Sequence, residues 1–176
     1  QDVEPSAFAV QLSSESERDP RVVELVLRES RSIVRVDPAR GVLIVETKHG
    51  FICANAGVDA SNVPGDERVS LLPVDPDLSA QRIRSELKAS LGLTLGIIIS
   101  DTFGRPWRMG NTDIAIGVAG INPLLDYTGQ TDINGYTLRV SVSAIADEIA
   151  SAAELVAGKL TQIPVAMDRT STCPAE

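Results

Sequence analysis

Ile97-Ile98-Ile99-Ser100-Asp101-Thr102-Phe103-Gly104-Arg105-Pro106-Trp107-Arg108-Met109-Gly110 is the stretch on which the fold turns. A β-branched, apolar run stops at a carboxylate beside a hydroxyl, and a loop punctuated by Gly and Pro follows with two arginines and the sole tryptophan. A buried strand that delivers an acid and a hydroxyl to its C-terminal edge is one way to present a metal or phosphate site. Guanidinium forks match carboxylate and phosphate oxygens in pairs, so Arg105 and Arg108 point to an anionic ligand. The same residues also read as a strand end, a type I turn and two solvated arginines, and the local pattern favours neither.

Working outward, Ser79–Leu91 is expected to be a helix with Ile83, Leu87 and Leu91 on its buried face, feeding a Leu95–Ser100 strand. Beyond the arginine loop, Asp113–Val118 alternates as a strand does. Tyr136–Ser143 forms another after the turn Asp132-Ile-Asn-Gly135. Ser143 is placed to cap a helix through Gly158, with Ile145, Ile149, Ala153, Val156 and Leu160 facing the core. Asp147 and Glu148 then complement the helix dipole, and Ile163–Met167 reads as a last strand.

Toward the N-terminus, Asp19-Pro20 is a helix start, and Val22, Val23, Val26 and Leu27 make residues 20–29 amphipathic. Ile33–Val36, Val42–Glu46 and Phe51–Ala54 are expected strands. A loop of small and amide residues, Asn55–Gly65, follows. Strands and helices interleave without strict βαβ alternation, so the expected fold is α+β, with mixed or antiparallel sheets and packed helices, and not Rossmann. The expected organisation is an extended or mobile segment over 1–18, one domain over 19–168 and a tail over 169–176.

Composition narrows the function classes. With 176 residues the chain can bury a real core; 43% hydrophobic and 23% charged residues are ordinary for a globular protein. Only 3% are aromatic, so Val, Ile, Leu and Ala must build that core. A net charge of −8 argues against nucleic-acid and anionic-membrane partners, which need a basic face. Against that acidic background the paired arginines stand out. Cys53 and Cys173 are the only cysteines and form no CxxC or Cys/His cluster, which argues against zinc; Cys53 reads as a buried small hydrophobe. No stretch approaches a membrane span, and a cytoplasmic enzyme or binding domain is the default expectation.

Asp59 and Asp101 are the carboxylates to pair. Each follows a short apolar run and precedes small polar groups, Ser61 and Asn62 in one case and Thr102 in the other. Magnesium takes one or two carboxylates together with waters and phosphate oxygens, and Asp59, Asp101 and Thr102 offer that chemistry. Spacing alone favours the plainer alternative, an Asx turn at Asp59 and a cap at Asp101. His49 lacks a nucleophile or ligand partner in the pattern and reads as a loop residue. Trp107 could stack on a planar ligand, although packing into the core is the better expectation. Asp147 and Glu148 are consecutive on a helix, so solvation and the dipole account for them first. The glycines make neither GxGxxG nor a Walker loop, so any nucleotide must use another cradle.

At these residues the chain resembles the gamma-glutamyl ligases of the deazaflavin coenzyme F-420. The resemblance runs from Val3-Glu4-Pro5-Ser6 to Pro164-Val165-Ala166. It is carried by Asp19-Pro-Arg, Val45-Glu46-Thr-Lys-His49-Gly-Phe51, Asn55-Ala-Gly-Val-Asp59-Ala-Ser-Asn62-Val, the Ser100–Gly110 run, Ala115-Ile-Gly-Val-Ala-Gly120 and Ala146-Asp-Glu-Ile-Ala-Ser-Ala-Ala153. The resemblance implies a GTP-dependent ligation. The γ-phosphoryl of GTP passes to the phospholactyl carboxylate of the deazaflavin, and the amino group of L-glutamate attacks the acyl phosphate.

It further implies magnesium or manganese at Asp59, Asp101 and Thr102, potassium as an additional cation, and an intertwined homodimer. Nucleotide contacts are implied at Asn62 and at Ala157, Gly158, Lys159, Leu160, Thr161, Gln162, Ile163 and Pro164. Arg105, Trp107 and Arg108 are our extension, as contacts to substrate phosphate, planar ring or glutamate carboxylate. The chain is expected to open inside the family pattern, without the N-terminal segment that contributes to the GTP site. Lys159 stands where some relatives carry an acidic metal ligand, and an ammonium cannot ligate a cation. Two other classes stand beside the ligase: a non-catalytic nucleotide- or deazaflavin-binding module, and a metal-dependent phosphohydrolase using Asp59 and Asp101.

Overall fold

Val42–Thr47 sends Leu43, Val45 and Thr47 inward in strict alternation and forms the middle strand, β2, of an antiparallel sheet. Its neighbours are β1 (Ser30–Asp37) and β3 (Ile52–Ala54), in the order β1-β2-β3. The computed structural model describes residues 2–14, 16–61, 63–65 and 67–169. The chain divides into two compact units, Gln1–Pro73 and Val74–Glu176.

In the first unit, α2 (Pro20–Arg28) starts where the Asp-Pro signal places it. The Asp19 carboxylate accepts from the Arg21 N–H at 2.8 Å, and Pro20 occupies the first position. Val23 and Val26 are fully buried in a core shared with Ala9, Leu43 and Val45.

The first departure from expectation lies upstream, in the segment read as extended: Ala7–Ser14 is a helix, α1. Eight residues are too few to hold a helix unaided. Docking supplies the stability: Ala9 is buried in the core, and the Ser6 N–H and hydroxyl bind the Glu24 carboxylate of α2 at 3.0 and 2.7 Å. Ser6 Oγ also accepts from the Ala9 N–H at 3.2 Å, which caps α1.

The second unit is built on an antiparallel hairpin of β4 (Ile97–Gly104) and β5 (Asn111–Ala119). Strand β4 does not end at Ser100 as expected. Its ladder shifts register between Ile99 and Ser100 and continues to Gly104, so Asp101 and Thr102 lie in the body of the strand. Two helices pack on this hairpin. Helix α3 (Pro76–Leu91) begins three residues before the expected start, because Asp75-Pro76 repeats the signal of Asp19-Pro20: the Asp75 carboxylate accepts from the Leu78 N–H at 2.8 Å.

The packing face of α3 also differs from the expected apolar stripe. Pro76 and Ala80 are buried, whereas Ile83 and Leu91 are exposed. Small side chains let the helix come close to the strand. A Cβ at Gly117 would stand 2.5 Å from the carbonyl carbon of Pro76.

Helix α4 (Ile145–Ala157) repeats the lesson, burying Ala146 and Ala150 and leaving Val156 and Leu160 exposed. Ser143 is not its cap; it pairs in β7 (Val142–Ser143) with β6 (Leu125–Asp126). The expected Tyr136–Ser143 strand is otherwise an irregular arm around the Asp132–Gly135 turn, where Asp132 accepts from the Asn134 and Tyr136 N–H groups, both at 2.8 Å. Ile163–Met167 is coil, without a described neighbour strand to pair with. Helices packed on small antiparallel sheets make this an α+β fold and not a Rossmann fold. No helix among the described residues is long and apolar enough to cross a membrane.

Candidate functional site

The Asn55–Asp59 loop is bent by three successive left-handed residues, Asn55, Ala56 and Gly57. Asn tolerates that conformation; an alanine pays about 1–2 kcal/mol for it. Burial of Ala56 at 2% exposure holds it there. The Asn55 side-chain carbonyl pins the loop, accepting from the Leu43 N–H at 3.2 Å and from the Arg18 guanidinium at 2.8 Å. Burial pushes the Arg18 pKa down, yet a guanidinium stays charged at neutral pH.

Asp59 follows, exposed and tied through its main chain to Ser70. Its carboxylate accepts from the Ser61 N–H at 2.8 Å and from the Ser61 hydroxyl at 2.6 Å, which is the Asx turn expected as the plainer alternative. A carboxylate has about four lone-pair sites and can hold such a turn while ligating a cation. Asp59 belongs to the first unit, whereas Asp101 and Thr102 belong to the second. Asn62 lies outside the described residues, as do Cys173 and the other residues of the tail from 170 to 176.

On β4, adjacent residues point to opposite faces, so Asp101 and Thr102 do not share one. Asp101 stands opposite Ile114 of β5, and Thr102 stands opposite Asp113. The Thr102 hydroxyl donates to Asp113 Oδ1 at 2.7 Å, and the Ser100 hydroxyl donates to Asp113 Oδ2 at 3.1 Å. Sequence reasoning passed over Ser100 and Asp113. Their signal was the period-2 spacing of Ser100 and Thr102, which places both hydroxyls on one face.

Among the described residues, the outer edge of β5 is covered by side chains and not by another strand. Asp147 Oδ1 accepts from the Ala115 N–H at 2.8 Å and Glu154 Oε2 from the Asp113 N–H at 3.2 Å, while the Ser151 hydroxyl donates to the Asp113 carbonyl at 2.8 Å. Positions 147, 151 and 154 fall on one helical face. Asp77 of α3 takes the Val118 N–H at 2.8 Å in the same way. The expectation that solvation and the dipole account for Asp147 is therefore corrected: its carboxylate replaces a missing strand partner, while Glu148 is exposed.

The loop between β4 and β5 carries the arginines. Arg105 folds back on it, its guanidinium donating to the carbonyls of Met109 and, at 3.4 Å, Gly110. Trp107 is left-handed at φ 57° and wholly exposed, which overturns the expectation that it packs in a core. Met109 is 91% exposed beside it. A tight turn closed by the Arg108 N–H on the Arg105 carbonyl at 3.3 Å carries Trp107 at its tip.

Ala157–Pro164 is the C-terminal turn of α4 and the exposed loop after it. The helix C-terminus is the negative end of its dipole, so the donors there for a phosphate are Lys159, the Gln162 side-chain amide and loop N–H groups. His49 makes a 2.8 Å bond to the Pro73 carbonyl and stacks on Phe51, consistent with a loop residue. Cys53 is buried, as expected.

The donors at Asp59, Asp101 and Thr102 are all oxygens, the set that a hard divalent cation prefers, and a magnesium ion needs no more than one or two carboxylates. Among the described residues there is no group of three or more His, Cys, Asp or Glu side chains able to hold an ion. Oxygen donors of this type suit magnesium or manganese.

Residues 1–169 match the family model described as F420-0:Gamma-glutamyl ligase. The chain is 48% identical over 158 residues to the coenzyme F420:L-glutamate ligase of Methanopyrus kandleri, covering 90% of this chain and 62% of that protein. It is 44% identical over 171 residues to the protein of the same name from Methanocaldococcus jannaschii, covering 97% and 67%. Against one from Methanococcus maripaludis the identity is 41% over 174 residues, covering 98% and 68%. The chain thus spans between 62% and 68% of the length of these relatives.

Proposed function

Because the chain belongs to the F420-0:gamma-glutamyl ligase family, we propose that it joins L-glutamate in amide linkage to the phospholactyl carboxylate of a deazaflavin coenzyme F-420 precursor, at the expense of GTP. The observation that carries this reading is the family match over residues 1–169, which includes Asp59, Asp101 and the arginine hairpin.

The chemistry runs in two balanced steps. A carboxylate oxygen of the precursor displaces GDP from the γ-phosphorus, giving an acyl phosphate. The glutamate amine then attacks the acyl carbon, inorganic phosphate leaves, and the amine gives up a proton. A divalent cation, magnesium or manganese, would supply charge neutralisation to the phosphate oxygens when bound; Asp59 in the first unit, and Asp101 and Thr102 on opposite faces of β4 in the second, are the oxygen donors offered to such ions.

Phosphoryl transfer asks a protein mainly for positioning and charge, not for a strong acid or base. Arg108, with the guanidinium donors of Arg105 not used by the loop, offers positive charge to the precursor phosphate or to a glutamate carboxylate. Against a net charge of −8, the cationic hairpin tip offers such anions a local place to approach. The open face of Trp107 suits stacking on a planar ring. Asn62 and the Ala157–Pro164 loop are the proposed nucleotide contacts, with Lys159 as a cation for phosphate. Potassium as a further cation, and a homodimeric assembly, belong to the same reading.

Mass spectrometry of the deazaflavin after incubation with GTP, Mn2+ and L-glutamate tests it. A gain of glutamyl units with stoichiometric GDP is the expected result. Phosphate release that ignores glutamate would point to a hydrolase, and a ligand-induced melting shift without turnover to a binding module; either overturns the ligase.

A further inference from the structure

We infer that Asp113 is a positioning residue that turns the hydroxyls of Ser100 and Thr102 into acceptors aimed at a cation. The inference rests on the proposed role of Thr102 at a phosphate-bound divalent ion.

A hydroxyl carries one proton and two lone pairs, and it rotates to suit its surroundings. Left alone, Thr102 would offer either its proton or its lone pairs to whatever approached. Here the direction is set. Thr102 gives its proton to Asp113 Oδ1 at 2.7 Å and Ser100 gives its own to Oδ2 at 3.1 Å. Both oxygens therefore keep lone pairs, and no proton, toward an incoming ligand. Such a ledge accepts and does not donate, so it suits a cation and repels a bare phosphate oxygen. The carboxylate behind the hydroxyls adds negative charge without occupying a ligand position.

Asp113 is itself held with little freedom. It lies directly across from Thr102 in the ladder. Its N–H is taken by Glu154 at 3.2 Å and its carbonyl by the Ser151 hydroxyl at 2.8 Å, both from α4. Main chain and side chain are thus fixed by different elements, as a group that orients a ligand requires. An ordinary cross-strand Thr–Asp pair would contribute to hairpin stability and nothing to a cation, and the two roles separate in experiment.

The full chain is titrated with Mn2+ in the presence of a non-hydrolysable GTP analogue, and free Mn2+ is followed by electron paramagnetic resonance. Asp113→Asn keeps the shape and one acceptor, but its amide N–H2 donates to a hydroxyl and turns one lone pair inward. We expect it to weaken Mn2+ binding by roughly 10- to 100-fold, the usual cost of losing an outer partner of a metal ligand. Thr102→Val should lose a similar factor and Thr102→Ser should retain wild-type affinity. The Asp113→Asn/Thr102→Val double variant should lose clearly less than the product of the two single losses, since Asp113 acts in part through that hydroxyl. Wild-type affinity in Asp113→Asn, or losses that multiply in the double variant, would overturn the inference. Thr102→Ser and Thr102→Val decide the hydroxyl's part even if Asp113→Asn does not fold, because equal affinity in those two also overturns it. Absence of Mn2+ binding by the wild type would instead overturn the functional reading on which the inference stands.

Discussion

Replacing Asp147 by alanine should open the edge of β5 and loosen Asp113 with it. In the native chain the Asp147 carboxylate accepts the Ala115 N–H at 2.8 Å, a bond with an ionised acceptor to a half-buried amide. Losing such a bond costs about 1.5–3 kcal/mol, because the N–H is left without its partner. Asp147 also lies in the first turn of α4, where an acid contributes a further 0.3–1 kcal/mol or so through the helix dipole. We expect Asp147→Ala to destabilise the chain by about 2–3 kcal/mol. Asp147→Asn keeps a carbonyl acceptor but gives up the charge, and should cost roughly half as much.

Native-state hydrogen exchange reads the local part directly. A loss of about 2 kcal/mol speeds exchange at the Ala115 amide by roughly 30-fold, with a smaller rise at Asp113, whose amide keeps Glu154. Unchanged Ala115 exchange in Asp147→Ala would refute the edge-covering role. Equal cost in the Asn and Ala variants would show that the dipole, not the hydrogen bond, carries the effect.

Other outcomes follow from the same geometry. Gly117→Ala puts a Cβ 2.5 Å from the Pro76 carbonyl carbon, so α3 must shift; we expect a loss of at least about 1–3 kcal/mol and deprotection of the Val118 amide that Asp77 holds. An unchanged Tm in that variant would contradict the close approach. The Glu24 carboxyl is held down to about 2, from an ordinary 4.5, by the Ser6 hydroxyl first, then the Ser6 N–H and Arg28. A depressed pKa stabilises the folded state above the unfolded value, so this contribution is complete above about 4.5 and is lost as pH falls toward about 2. Denaturant titrations across that window should show the loss in the wild type and a shallower one in Ser6→Ala; superimposable profiles would rule the contact out. Trp107→Ala should alter stability by no more than about 0.5 kcal/mol, since the ring is wholly exposed, yet should weaken deazaflavin binding. A large drop in Tm would show that the indole packs after all, and unaltered binding would remove it from the proposed substrate contacts.

Signals contained within a few residues were legible in the sequence. Asp19-Pro20 fixed the start of α2, the run Val42–Glu46 marked β2, and Asp132–Gly135 fixed a turn, because each is settled largely by its own residues. The α+β class followed from the order of such elements. Asp59, Asp101 and Thr102 were legible as oxygen donors in family motifs, since residue type alone determines donor chemistry.

Tertiary structure decided what those residues face. Apolar stripes on α3 and α4 gave way to Pro76, Ala80, Ala146 and Ala150, because small residues permit close packing on a strand and the stripe cannot reveal that approach. Helix α1 formed by docking Ala9 and Ser6, which no local propensity foretells. The register shift at Ile99/Ser100 carried β4 past Asp101 and set Thr102 against Asp113. Hydrogen-bond direction at a hydroxyl depends on the partner across the ladder, eleven residues away in sequence, and only the folded hairpin supplies that partner.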